Sequence, residues 1–226
     1  VCHHAFEFPF AITLANKKNL LEHHTLNCFI CYEPTADNAC EECLEQLVDV
    51  SRSEQHSSIH SLFKYDGLIR ELIHEIKIAN SVSVLQGLTS LVMNDPRLTS
   101  AVDDCDLIVP APSSVWGRMR GRFDFAEALA IALSQKSAKP YARLPTRYYM
   151  RFRKRAGRNT DSMESDQVRN ADTIKPNKRI ASRTVLLLDD ITTTGWTMQE
   201  YESVLVSLGA KSVYKLAVAS AEPSEY

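Results

Sequence analysis

The segment Val185-Leu186-Leu187-Leu188-Asp189-Asp190-Ile191-Thr192-Thr193-Thr194-Gly195-Trp196-Thr197 decides the fold. Its unbroken apolar run, Val185 to Leu188, predicts a central parallel strand covered on both faces, because a strand with one wet face would alternate. Two carboxylates end that strand and a short hydroxyl-rich loop follows. Met198 to Leu208 then predicts a helix, stopped by Gly209 in a left-handed cap. Ser212 to Ser220 reads as the next strand. This order is the repeating unit of an open, mostly parallel α/β sheet with right-handed crossovers. Ligands of such sheets bind outside the carboxyl ends of the strands. Here that edge carries Asp189 and Asp190, faced by the free N–H groups of a helix N-terminus.

Further toward the N-terminus, Leu107-Ile108-Val109 before Pro110-Ala111-Pro112 predicts a short buried strand. Phe125 to Leu133 is Ala/Leu-rich and helical. Ile59 to Tyr65 reads as a strand, with Asp66-Gly67 as a turn. Leu68, Ile69, Leu72, Ile73 and Ile76 form an i, i+3, i+4 stripe, so an amphipathic helix runs to about Ile78. A second helix is expected over Val84 to Met93. Residues 144–180 are basic and polar, and predict a strand plus a long loop. No internal repeat is visible.

The decisive loop combines two opposite preferences. Helix N–H groups and the hydroxyls of Thr193, Thr194 and Thr197 suit a phosphate. The carboxylates repel one, but suit vicinal hydroxyls or a magnesium-bound sugar. A ribose 5-phosphate satisfies both. Without a ligand, Thr197 and Glu200 make a capping box. Such a cap leaves the adjacent aspartates, with their desolvation and mutual repulsion, unexplained.

Four of the six cysteines form two close pairs, Cys28-Phe29-Ile30-Cys31 and Cys40-Glu41-Glu42-Cys43. Each CxxC turn brings two thiolates to a common point, and two turns complete a tetrahedral S₄ shell. Disulfides are the competing reading. The early apolar run Phe8 to Ala15 is short, contains Pro9 and follows no basic stretch, so it does not read as a signal peptide. A reducing, cytoplasmic setting then favours zinc. With four thiolates the site is closed to substrate and structural. His3, His4, His23 and His24 are expected to face solvent, and Cys105 to be a small buried strand residue. A helix follows the knuckle over Cys43 to Val50, with Leu44, Leu47 and Val48 at helical spacing.

The 226 residues are 44% hydrophobic and 24% charged, with 7 glycines and 9 prolines, which excludes collagen-like, low-complexity and disordered chains. No apolar run reaches the roughly 18–20 residues that a membrane span needs, so no membrane insertion is expected. A net charge of −2 hides a basic block. Arg118 to Arg158 carries 12 Lys/Arg against 2 Asp/Glu, in an otherwise acidic chain. Such a block points to a polyanionic partner, a phosphorylated small molecule or a nucleic acid, or else to a solvated basic face.

The stretch Val185 to Thr197 resembles the phosphoribosyl-diphosphate (PRPP) loop of type I phosphoribosyltransferases. Three further features narrow the likeness. Phe63-Lys64-Tyr65-Asp66-Gly67-Leu68-Ile69-Arg70-Glu71-Leu72-Ile73-His74-Glu75-Ile76-Lys77, the double CxxC and Val109-Pro110-Ala111-Pro112 resemble the ComF/GntX family. Those are competence-associated proteins with a zinc finger ahead of a phosphoribosyltransferase-like domain. The likeness spans about residues 20–226. It implies an unassigned tail (1–19), a zinc-binding double CxxC module (20–50), a linker (51–58) and a phosphoribosyltransferase-like domain (59–226). At the end of the basic loop the family usually reads Arg-Gly-Phe-Asn-Gln; this chain has Gly121-Arg122-Phe123-Asp124-Phe125. Trp196 stands where relatives often have a small residue, placed either to stack on a base or to pack on the helix.

The resemblance implies PRPP binding with Mg²⁺ and transfer of the phosphoribosyl group to a nitrogen acceptor with release of pyrophosphate. Asp189 and Asp190 would hold the ribose hydroxyls and favour positive charge at C1. Thr193, Thr194, Gly195 and Thr197 would fix the 5-phosphate, and Arg118, Arg120 and Arg122 the departing pyrophosphate. No segment is assignable to base recognition. The alternative is a non-catalytic competence factor that handles single-stranded DNA or a protein of the uptake machinery. It would use Tyr148, Tyr149 and Phe152 interleaved with Arg147, Arg151, Arg153, Lys154, Arg155 and Arg158. Alternating core aromatics on a twisted strand account for the same stretch.

Overall fold

The computed structural model describes residues 26–47, 59–112, 124–144 and 177–221. Four parallel strands form one sheet in the order β3-β6-β5-β4. They are β3 (Ile59–Lys64), β4 (Leu107–Pro110), β5 (Thr184–Thr192) and β6 (Ser212–Ser220). A two-stranded antiparallel ribbon, β1 (Leu26–Asn27) with β2 (Pro34–Thr35), lies ahead of them. The expected α/β architecture with a parallel sheet is present. The linker 51–58, the basic loop with Arg118, Arg120 and Arg122, and most of 144–180 lie outside the described residues.

β5 is central, paired with β6 on one side and β4 on the other. Its side chains show why an unbroken apolar run was needed. Leu186 and Leu188 enter one core with Leu62, Ile108, Leu216 and Val218, while Val185 and Leu187 enter the other with Leu107, Val109 and Ala217. The first core is roofed by α2 (Gly67–His74), α3 (Val82–Met93), α4 (Pro96–Asp103) and α5 (Phe125–Ser137). The second is roofed by α6 (Trp196–Ser207), through Met198, Tyr201, Val204 and Leu205. Every β5 residue from Val185 to Leu188 is fully buried.

The stripe from Ile69 to Ile76 is buried as its spacing predicts, but the helix changes character along the way. Asp66 caps α2 by accepting the Gly67 N–H at 2.7 Å. After His74 the chain widens into a π turn, Glu75–Ala79, closed by Asn80 in the left-handed region (φ 55°). The second expected helix is α3, begun two residues early by the Ser81 cap. Helix α4 was not anticipated. Asp95, which accepts the Arg97 N–H at 2.8 Å, and Pro96 at the first helical position are its start signals.

β4 is an edge strand, and this is what admits Pro110. Ile108 turns its N–H outward to the Pro140 carbonyl at 2.9 Å, and Ala111 turns inward to the Leu188 carbonyl at 2.6 Å. With a period of two, Pro110 faces outward like Ile108, where a missing N–H costs no sheet bond. Pairing of β4 with β5 stops at Pro110↔Leu188. β3, β6 and β5 run on and finish level, at Lys64, Ser220 and Thr192. The sheet therefore has a step beside the last four residues of β5.

Two readings of the decisive segment are corrected. Asp189, Asp190, Ile191 and Thr192 belong to β5 itself, because β6 continues to pair with them. Thr197 is not the cap of α6. The helix begins one residue after Gly195, whose left-handed backbone (φ 72°) takes that position without a side-chain cap, and Thr197 is exposed in the first turn. Gly209 does end the helix, at φ 95°.

The Cys-rich segment is fastened to the main sheet's helical layer. Cys28, Phe29, Ala39 and Cys43 share the core that α2–α5 roof. Phe29 lies against Gly87 of α3, and Asn38 donates to Ser90 Oγ at 2.8 Å. Helix α1 (Glu41–Glu45) begins before Cys43, and Leu44 is exposed rather than inward. Val48 to Val50 lie outside the described residues.

Candidate functional site

Two clusters of chemically active side chains stand out. In the first, Cys28, Cys31, Cys40 and Cys43 bring their sulfurs within 4.8 Å of one another. The Cys31 and Cys40 sulfurs are 3.7 Å apart. A tetrahedral shell with Zn–S bonds of about 2.3 Å has edges of about 3.8 Å, so the donor set fits such an ion. The backbone builds this geometry locally. Cys28 N–H donates to Glu33 O and Tyr32 N–H to Cys28 O, each at 2.9 Å, with Tyr32 left-handed at φ 66°. Cys40 then takes the N-cap position of α1, which carries Cys43 inward.

The thiols differ in acidity. Burial works to raise Cys28, but the N–H groups of Cys31, Cys40 and Ile30 outweigh it and bring the thiol down to about 6. Burial, then the neighbouring sulfurs, push Cys43 strongly upward. Four thiolates cannot share this space without a cation. The arrangement can hold a metal ion, and with four protein donors it leaves no open position.

The second cluster lies at the end of β5. Asp189 Oδ1 accepts the Asp190 N–H at 2.8 Å. Asp190 Oδ2 meets the Lys77 ammonium at 2.7 Å, with the aspartate side chain 15% exposed and the lysine 34%. Burial, and then the charge of Asp190, raise the Asp189 carboxyl well above the usual range, against the pull of the Asp190 N–H and Lys77. Asp124 adds to the rise. It also caps α5, accepting the Glu127 N–H at 3.1 Å.

The loop behaves as a turn into a helix. Thr193 and Thr194 are exposed, and Thr194 Oγ1 accepts the Trp196 N–H at 3.4 Å. Gly195 is buried, and a Cβ there would fall 2.5 Å from Ile59 Cδ1. The loop is thus pinned to β3 where α6 begins.

The structure brings together Asp189, Asp190, Thr193, Thr194, Gly195 and Thr197 at one sheet edge, and separately the four cysteines. Arg118, Arg120 and Arg122 lie outside the described residues. Sequence reading missed Lys77 and Asp124. Lys77 closes the stretch Phe63–Lys77 and Asp124 stands near the end of the basic loop; neither position alone reveals a partner distant in sequence. Asp124's neighbourhood extends outward, since Tyr141 donates to Glu127 Oε1 at 2.6 Å and Arg143 pairs with the same carboxylate. A cleft of about 450 Å³ between α3 and α5 is lined by Leu85, Thr89, Met93, Gln135 and Lys136. It lies at the C-terminal turns of α5, away from Asp124 at the other end. No helix among the described residues is long and apolar enough to cross a membrane. No family model matches this sequence, and no curated protein matches it.

Proposed function

We propose that this chain is a ComF-like protein whose sheet edge binds PRPP with Mg²⁺ and transfers the phosphoribosyl group to a nitrogen acceptor. The observation that carries the reading is the adjacent pair Asp189–Asp190 near the carboxyl end of the central strand, followed within a few residues by the start of α6, which has no side-chain cap. N–H and hydroxyl donors suited to a phosphate follow carboxylates suited to sugar hydroxyls within one short stretch of chain, which supports a ribose 5-phosphate as the ligand.

The transfer needs no protein nucleophile. The C1–oxygen bond to pyrophosphate breaks, a C1–nitrogen bond forms, and the acceptor's N–H proton is released. Asp189 and Asp190 accept the ribose hydroxyls and stabilise positive charge growing at C1. The α6 N–H groups with Thr193, Thr194, Gly195 and Thr197 hold the 5-phosphate. Arg118, Arg120 and Arg122 are assigned to the departing pyrophosphate. Magnesium, arriving on the diphosphate, offsets the leaving group's charge. The ion in the cysteine cluster is zinc with a structural role, since four thiolates form a closed set suited to it.

Calorimetric titration of PRPP and Mg²⁺ into the zinc-loaded protein tests the reading, alongside Asp189→Asn/Asp190→Asn. Binding by the wild type alone supports it, and an acceptor screen then watches for pyrophosphate. Absence of binding by the wild type would overturn it in favour of nucleic-acid binding. That binding should fall steeply with salt and survive Asp189→Asn.

A further inference from the structure

The sugar-binding reading leaves one member of the site without a role. Lys77 comes from neither the β5 loop nor α6. It comes from the π turn after α2, on the helical layer opposite α6. Its ammonium stands 2.7 Å from Asp190 Oδ2, within the range of a charge-assisted hydrogen bond. Single π turns are rare and frequently occur at functional sites. Here the turn is anchored on both sides. Ile76 is fully buried in the core, and Asn80 closes the turn in a left-handed conformation. The lysine stem thus leaves a fixed point and its head ends on one named oxygen.

We propose that Lys77 is a positioning residue of the ribose site: a resident cation that holds Asp190 toward the ligand and occupies, on that carboxylate, the place of a divalent ion. This inference rests on the ribose-phosphate reading above. Two adjacent carboxylates would otherwise attract Mg²⁺ directly. An ammonium already on Asp190 repels a second cation from the same oxygens. Asp190 is thereby kept for the sugar hydroxyls, and magnesium enters only on the ligand's phosphates. A ligand bearing a diol and its own metal-binding phosphates is favoured over a free metal ion.

The test uses the zinc-loaded full chain and two probes. In the first arm Mn²⁺ alone is titrated and read by electron paramagnetic resonance. Wild type should show no Mn²⁺ site at the aspartates. Lys77→Met should gain one, and adding Asp190→Asn should remove it. Lys77→Gln, neutral but still a hydrogen-bond donor, repeats the comparison if the methionine variant folds poorly. In the second arm, Lys77→Met should lose about tenfold or more in PRPP affinity at low Mg²⁺, the expected scale for leaving a mostly buried carboxylate unpaired. Excess Mg²⁺ should restore much of the loss, and Lys77→Arg should bind nearly as wild type.

A merely structural lysine would show neither metal rescue nor a new Mn²⁺ site, and that result overturns the proposal. The Mn²⁺ arm needs no sugar phosphate. It decides the counter-ion role even if wild type fails to bind PRPP, an outcome that fells the ribose reading separately.

Discussion

The Phe29 ring of the cysteine module sits so close over Gly87 of α3 that a Cβ on that glycine would lie 2.2 Å from the ring's Cγ. The contact, with the Asn38–Ser90 hydrogen bond, ties the metal-binding segment to the sheet's helical layer. Gly87 is there for space, since only a bare Cα lets the ring lie flat on the helix.

Gly87→Ala should therefore destabilise the protein by about 1–3 kcal/mol, the usual cost of overpacking. For a chain of this size that is a fall of roughly 2–12 °C in Tm. Phe29→Ala in the same chain should recover part of the loss caused by Gly87→Ala, because the clash needs both groups. Differential scanning calorimetry of the two single variants and the double variant checks this. Strict additivity would mean that the ring and the glycine are not in contact.

Metal binding to the cysteines should release protons, and fewer than four at neutral pH. Cys28, held near 6 by surrounding N–H groups, is already largely thiolate there, while Cys43 is pushed far upward and must give up its proton. Titrating zinc into stripped protein in buffers of different ionisation enthalpy counts them. Affinity should fall as pH is lowered, because protons compete for the sulfurs. Chelation should lower the Tm, since Cys28 and Cys43 belong to the shared core.

Asp189→Asn should separate stability from binding. A carboxyl whose folded pKa lies above its unfolded value costs stability above the folded pKa, and that cost disappears as pH falls through it. Asp189 is raised by burial and by Asp190, so the asparagine should stabilise the fold at neutral pH, by about 1 kcal/mol or some 2–4 °C. The gain should shrink in acid. Urea midpoints at neutral and acidic pH measure it, and PRPP titration of the same variant should show binding lost.

Gly195→Ala should displace the loop that α6 starts from. An L-residue at φ 72° costs about 1–2 kcal/mol, and its Cβ would also press on Ile59 Cδ1. Ile59→Val, which removes that methyl, should relieve the contact but not the backbone strain. Partial recovery of stability without recovery of PRPP binding is the expected outcome.

The sequence made the sheet's centre legible because burial there is local in its signature. Val185 to Leu188 is apolar without alternation since both its faces are roofed, and Ser212–Ser220 matched its strand to the residue. The CxxC spacing was equally local, and its four sulfurs do converge. What escaped was set by distant partners. Asp189 to Thr192 stay in β5 because β6 extends beside them, which no property of those residues announces. Lys77 is only the last residue of a motif in the sequence, and the fold puts Asp190 against it. Thr197 with Glu200 looked like a cap, yet Gly195 could adopt a positive φ and start the helix sooner. Phe29 on Gly87 joins segments that no periodicity connects.

The step in the sheet has its own consequence. β4 leaves β5 at Leu188, and β5 continues for four residues, to Thr192. At about 3.3 Å per residue that overhang is about 13 Å long, and among the described residues it has no strand partner on the β4 side. Its length is set by where a neighbouring strand stops pairing and not by the side chains it carries. Changing Asp189, Asp190 or the threonines alters the chemistry of this edge while the pairing that builds it persists, so specificity can drift there without the fold being rebuilt.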